Sequence, residues 1–193
     1  DHAQHFSEKV EYLDSYYHLV DESHPIGENV SRASQKLPED SFIFSSFVAS
    51  YKITAQWFDL WLEILSNCKN SVLWLGASNT FSQMNLIDRA SQKGLVDRIF
   101  FANRVPNKSD HLARLKLADL ALDTPFFNGM TTTHDSLLAG VPVLTLQGRS
   151  FSEMVCPSLM QYLNLEDLVT KDEEEFLQKA CDLPRFFWNS NTV

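Results

Sequence analysis

Apolar residues fall along the chain in two alternating rhythms. Short, almost wholly apolar runs predict five buried strands: Phe42-Ile43-Phe44 with Phe47, Ser71-Val72-Leu73-Trp74-Leu75, Arg98-Ile99-Phe100-Phe101, Leu120-Ala121-Leu122, and Val141-Pro142-Val143-Leu144-Thr145-Leu146. Between them the spacing turns helical. Ile53, Trp57, Leu60, Ile64 and Leu65 predict one amphipathic helix, and residues 80–93, 108–117, 131–139, 151–163 and 172–182 predict others. Gly76 ends the second strand, and Gly94 and Gly140 stop helices. Pro142 enters the fifth strand at its start, where a missing N–H is tolerated. Strands apolar on both faces, alternating with helices, need a parallel sheet covered on both sides. Right-handed crossovers then make a doubly wound, Rossmann-like α/β domain. Residues 41–193 carry this pattern. Residues 1–40 read as a connecting segment. Residues 1–24 hold irregularly spaced His2, His5, His18 and His24, and Pro25–Asp40 is a polar loop.

Composition narrows the function. With 193 residues, 44% of them hydrophobic and 21% charged, the chain is long enough for one core and too apolar for disorder. Sixteen Lys and Arg against twenty-five Asp and Glu leave a net charge of −9, which argues against a general nucleic-acid binder. A local basic pocket for one small anion stays compatible with it. Cys68, Cys156 and Cys181 are scattered, without metal-ligand spacing, and imply a reducing, cytoplasmic setting. No apolar run approaches the roughly 20 residues that cross a bilayer, so no membrane partner is expected. The chain opens at Asp1 with neither an initiator Met nor a signal-peptide pattern, which reads as a piece of something longer.

In a doubly wound sheet the ligand lies beyond the carboxyl ends of the strands, so the loops after the strands carry the chemistry. The loop after the fourth strand runs from Asp123 to Asp135. Its Asn128-Gly129 pair allows close backbone approach. Thr131, Thr132 and Thr133 open a helix, offering hydroxyls, free N–H groups and the positive end of the dipole to an anion; simple N-capping by threonine is the competing reading. Asp135, one turn in, suits a diol such as a ribose. Lys52, after the first strand, could neutralise a phosphate or lie solvated at the surface. Lys108, His111 and Arg114 share one helical face, which could equally be a plain charged surface. Trp57, Trp61, Phe126 and Phe127 read as core and loop packing. There is no glycine-rich dinucleotide fingerprint, P-loop, Asp-x-Asp pair or nucleophile elbow.

The set Ser71–Leu75, Leu117-Ala118-Asp119, Leu122-Asp123-Thr124-Pro125, Asn128-Gly129, Thr131-Thr132, Asp135 and Ala139–Thr145 resembles the C-terminal catalytic lobe of the O-linked N-acetylglucosamine transferase family. Those are two-lobed GT-B glycosyltransferases, usually preceded by tetratricopeptide helices. The resemblance implies a UDP-N-acetylglucosamine donor, transfer with inversion to Ser or Thr of a protein, and no metal or other cofactor. It assigns Lys52 to the donor diphosphate as the catalytic group, and Lys108, His111 and Arg114 to the nucleoside. Pro106 falls where a backbone group reads the base, Thr131 and Thr132 at the phosphates, and Asp135 at the ribose. Met130 stands where the family carries a histidine, and Ala49 where it carries a polar residue. The other lobe and the tetratricopeptide helices, through which a protein acceptor would be met, have no counterpart in these residues. Another donor such as GDP-fucose, or a lobe that binds without turnover, are the alternatives.

Overall fold

The structure is a computed structural model that describes residues 3–11, 16, 23–28, 30–76 and 79–190, with side chains as far as Pro184. His2 and His18 lie outside the described residues. Six parallel strands form the sheet: β1 (Phe42–Ser46), β2 (Ser71–Leu75), β3 (Ile99–Phe101), β4 (Leu120–Leu122), β5 (Val143–Leu146) and β6 (Val169–Thr170). They alternate with α1 (Ala55–Asn67), α2 (Thr80–Gln92), α3 (Lys108–Leu115), α4 (Thr131–Leu138), α5 (Phe151–Tyr162) and α6 (Glu173–Ser190). The strand order is β3-β2-β1-β4-β5-β6, the doubly wound Rossmann-like arrangement expected from the pattern.

Side-chain alternation along the strands builds two cores. Phe42, Phe44, Leu73, Leu75, Leu120 and Leu122 point to one face, where α1, α2 and α6 cover them. Ile43, Val72, Trp74, Ala121 and Val143 point to the other, under α3 and α5. Trp57 and Trp61 are core residues, 1% and 0% exposed. Thr54 caps α1 by accepting from the Trp57 N–H at 3.2 Å. Gly94 and Gly140, at φ 69° and 79°, close α2 and α4 in the left-handed conformation that glycine adopts at no steric cost.

β3 begins at Ile99 instead of Arg98, β5 at Val143, just after Pro142, instead of Val141, and two further elements differ more. β6 was not expected, because two residues show no periodicity; it exists because Thr145 and Leu146 offer it a register at the sheet edge. α6 continues to Ser190 with Pro184 inside it, past the expected end near 182. Ahead of the sheet, the Gly27 N–H donates to Ser109 O at 3.0 Å, and Arg32 pairs with Asp119 at 2.9 Å, so Gly27 and Arg32 lie against the lobe.

For function the decisive feature is the strand order. It reverses between β1 and β4, and their carboxyl ends frame the crevice in which such sheets bind ligands. Ser46, Phe47, Val48, Asp123, Thr132, Thr133 and Ser136 line a small depression there.

Candidate functional site

The turn after β4 is held from below by Asp123. This carboxylate, 3% exposed, accepts from the Gly129 N–H at 2.6 Å through Oδ1 and from the Thr145 hydroxyl at 2.8 Å through Oδ2. Burial pushes its pKa up to about 6, against the hydrogen bonds from Gly129, Thr145 and Thr124, which favour the charged form. Asn128 is fixed on three sides. Its N–H donates to Ser152 O at 2.9 Å, its Nδ2 to Thr124 O at 2.8 Å, and its Oδ1 accepts from the Cys156 N–H at 3.2 Å. Gly129 is not among the glycines of positive φ. It is needed for space, because a Cβ there would lie 2.7 Å from both the Thr132 and Thr133 hydroxyl oxygens.

This turn delivers the start of α4 to the crevice. Met130 is its N-cap and makes no side-chain cap bond, so threonine capping is not what opens the helix. Thr133 turns inward, donating to Gly129 O at 2.9 Å, while Thr131 is exposed and Thr132 half-buried. The first-turn amides and the dipole therefore face the crevice without a capping side chain over them.

Lys52 reaches the same turn from the other side of the switch point. It ends the short helical turn Ser50–Lys52 after β1, and its Nζ donates to Asn128 O at 2.8 Å while sitting 4.1 Å from the Phe127 ring centroid. Burial lowers its pKa, and the nearby Asp123 charge partly restores it. Phe126 and Phe127 are exposed rather than packed away, and Phe127 serves as the platform for this ammonium.

The third group comes from α3. Lys108 Nζ pairs with Asp135 Oδ1, and His111 Nε2 lies 3.5 Å from Asp135 Oδ2. Arg114 is buried behind His111, its Nε donating to His111 Nδ1 at 3.2 Å and its Nη1 to Asn103 O. A guanidinium has only donors, so His111 Nδ1 is the lone-pair nitrogen and Nε2 carries its proton toward Asp135. The His111 ring also meets Phe47 edge to face, 5.6 Å between centroids. Burial would raise the Asp135 pKa, but the bonds from His111 and Lys108 outweigh it, and the carboxyl is held below its ordinary value.

Lys52, Met130, Thr131, Thr132, Lys108, His111 and Asp135 thus meet on one edge of the sheet, although only Thr132 lines the central depression itself. Pro106 lies exposed in the loop between β3 and α3. Arg114 orients His111 instead of facing the crevice. Asp123 is the residue that a search for exposed ligands passes over. Its signal was an acid at the end of an apolar strand, six residues before a glycine turn.

Cations and an open helix start thus stand together at the switch point of a Rossmann-like lobe, groups that favour negative charge. Comparison with known proteins makes the assignment narrower: residues 22–185 match glycosyl transferase family 41, and the chain belongs to that family. It is 36% identical over 154 residues to a UDP-N-acetylglucosamine–peptide N-acetylglucosaminyltransferase of Caenorhabditis elegans, covering 79% of this chain and 13% of the relative. It is 38% identical over 154 residues to the probable enzyme of that name, SEC, of Arabidopsis thaliana, covering 79% and 16%. Among solved structures it is similar to a mutant O-GlcNAc transferase of Thermobaculum terrenum, with TM-score 0.71, 29% identity, and coverage of 75% of this chain and 28% of that one. The sheet and its helices are the Rossmann-like lobe of a GT-B glycosyltransferase. The chain therefore spans about a sixth or less of the length of these two sequence relatives. Among the described residues no helix is long and apolar enough to cross a membrane.

Proposed function

We propose that this chain is the nucleotide-sugar-binding lobe of an inverting glycosyltransferase that uses UDP-N-acetylglucosamine as donor and a protein Ser or Thr hydroxyl as acceptor. The observation that carries the reading is the meeting of Lys52, the uncapped start of α4 and the Lys108–His111–Asp135 group at the β1/β4 switch point. The hydroxyl oxygen attacks the anomeric carbon and its proton is released to solvent, while the bond to the diphosphate oxygen breaks with both electrons staying on UDP. Negative charge grows on that oxygen. Lys52 and the α4 amides, already oriented, stabilise it without reorganisation, and the scheme gives no role to a metal. Asp135 accepts from the ribose hydroxyls, His111, braced edge to face by Phe47, takes the base, and Lys108 accompanies the nucleoside. The acceptor meets the sugar through the other lobe of the full-length enzyme. The three cysteines are thiols, which suits a cytoplasmic protein.

Calorimetric titration with UDP, GDP, uridine and inorganic pyrophosphate tests this. UDP should bind more tightly than GDP or uridine, and Lys52→Ala should reduce UDP and pyrophosphate binding while leaving uridine unchanged. Tighter binding of GDP would move the donor to a guanosine sugar. Binding of none of the four would remove the nucleotide reading.

A further inference from the structure

The buried Asp123 and the half-buried Lys52 never touch, yet one peptide group joins them. Gly129 N–H points down to Asp123 Oδ1 at 2.6 Å, and Asn128 C=O, the other half of the same peptide, points up to Lys52 Nζ at 2.8 Å. The described residues contain no cis peptide, so this group is trans, and a planar trans peptide directs its N–H and C=O in opposite directions. Fixing one end therefore fixes the other. The flanking bonds leave this peptide little alternative: Asn128 N–H and side chain are committed to Ser152, Thr124 and the Cys156 amide, and the next carbonyl, Gly129 O, is taken by Thr133.

We infer that Asp123 is a positioning residue for Lys52, acting through the orientation of the Asn128–Gly129 peptide so that the ammonium is held over Phe127 and beside the start of α4. The inference rests on the proposed role of Lys52 toward the donor diphosphate, but the bonds of the relay lie wholly within the chain. Without the acceptor below, the Gly129 N–H is left buried and unpaired, and turning the peptide over is its nearest escape. That rotation withdraws the carbonyl from Lys52 and frees the ammonium to leave the crevice. Among the described residues, the titratable side chains that bear on Asp123 from neighbouring elements are Lys52 and the Cys156 thiol, and burial keeps the latter neutral.

The test begins without nucleotide. In the intact chain, the Lys52 side-chain ammonium followed by NMR should exchange slowly. In Asp123→Ala it should become fast-exchanging, and in Asp123→Asn it should recover, because Asn still offers an oxygen to Gly129. Equal loss in both variants would make the effect one of charge and overturn the relay, as would an unchanged ammonium in Asp123→Ala. Should the alanine variant fail to fold, the wild-type chain still decides. One peptide group binds both, so the Gly129 amide and the Lys52 ammonium should both be protected from solvent exchange, and a protected Gly129 amide beside a freely exchanging Lys52 ammonium overturns the inference. A UDP-binding cycle completes it. Asp123→Ala should weaken UDP by about five- to tenfold in the wild-type background and by less than about twofold when Lys52 is already alanine. Equal losses in both backgrounds count against the relay. Absence of UDP binding altogether counts against the proposed function and leaves the ligand-free result to judge the relay.

Discussion

Asp135 carries two nitrogen partners, so a ribose that reaches it arrives at a carboxylate whose charge is balanced and whose remaining lone pairs can accept hydroxyls. Asp135→Ala should cost UDP about 1–3 kcal/mol while changing pyrophosphate binding much less, because the lost partners belong to the nucleoside. Equal losses for both ligands by calorimetry would move Asp135 away from the ribose. Asp123 makes the opposite electrostatic statement. Its folded pKa, about 6, is above its ordinary 3.8, so the native chain binds more protons than the unfolded one between those values. Stability from this group is full below the ordinary value and is lost as pH rises through 6, on the order of 3 kcal/mol. Asp119, also raised by burial, adds to the same slope, whereas Asp135, held low, loses its contribution only on further acidification. Urea unfolding followed from pH 4 to 7 should therefore show stability falling toward neutrality, with a shallower fall in Asp123→Asn. An equal slope in the variant would place the titration elsewhere.

At the scale of elements, the strands and helices could be read from periodicity because each long element buries one face and repeats its signal several times. Val169–Thr170 could not, since a two-residue strand repeats nothing and is defined only by its neighbour β5. The site was readable to the same depth. A threonine-rich helix start, a glycine turn and a lysine after β1 are local patterns whose meeting place follows from strand order. Whether Arg114 faces ligand or orients His111 depends on packing against Phe47, which no spacing on α3 reveals. Nor does spacing show that Gly129 is required for volume instead of backbone conformation. Gly129→Ala should cost about 1–3 kcal/mol, because its Cβ meets two hydroxyl oxygens at 2.7 Å, one of them on the inward-turned Thr133. Chemical denaturation measures this directly. A loss below about 0.5 kcal/mol, the range of an ordinary surface change, would show that the start of α4 shifts freely.

For the whole molecule, the carboxyl edge is where residues from the loops after β1, β3 and β4 meet, and it is flanked by exposed apolar side chains. Tyr51 and Phe81 follow and precede the Ser50–Ser82 hydroxyl contact on one side, and Phe126 and Phe151 adjoin the Ser152–Phe126 bond on the other. A ligand that bridges Lys52, the α4 amides and Asp135 would tie the two halves of the sheet together across the switch point. Its binding energy is then available to the native state alone. Saturation to about a hundred times Kd adds about 2.7 kcal/mol. For a chain of this length that raises Tm by about 5–11 °C. A thermal scan with UDP should show such a rise, with uridine and pyrophosphate each giving less because each engages one half of the site. Lys52→Ala should remove the pyrophosphate shift and Asp135→Ala the uridine shift, each leaving the other in place. A uridine shift as large as that of UDP would mean that the diphosphate groups hold nothing, and Lys52 with the start of α4 would lose their assigned role.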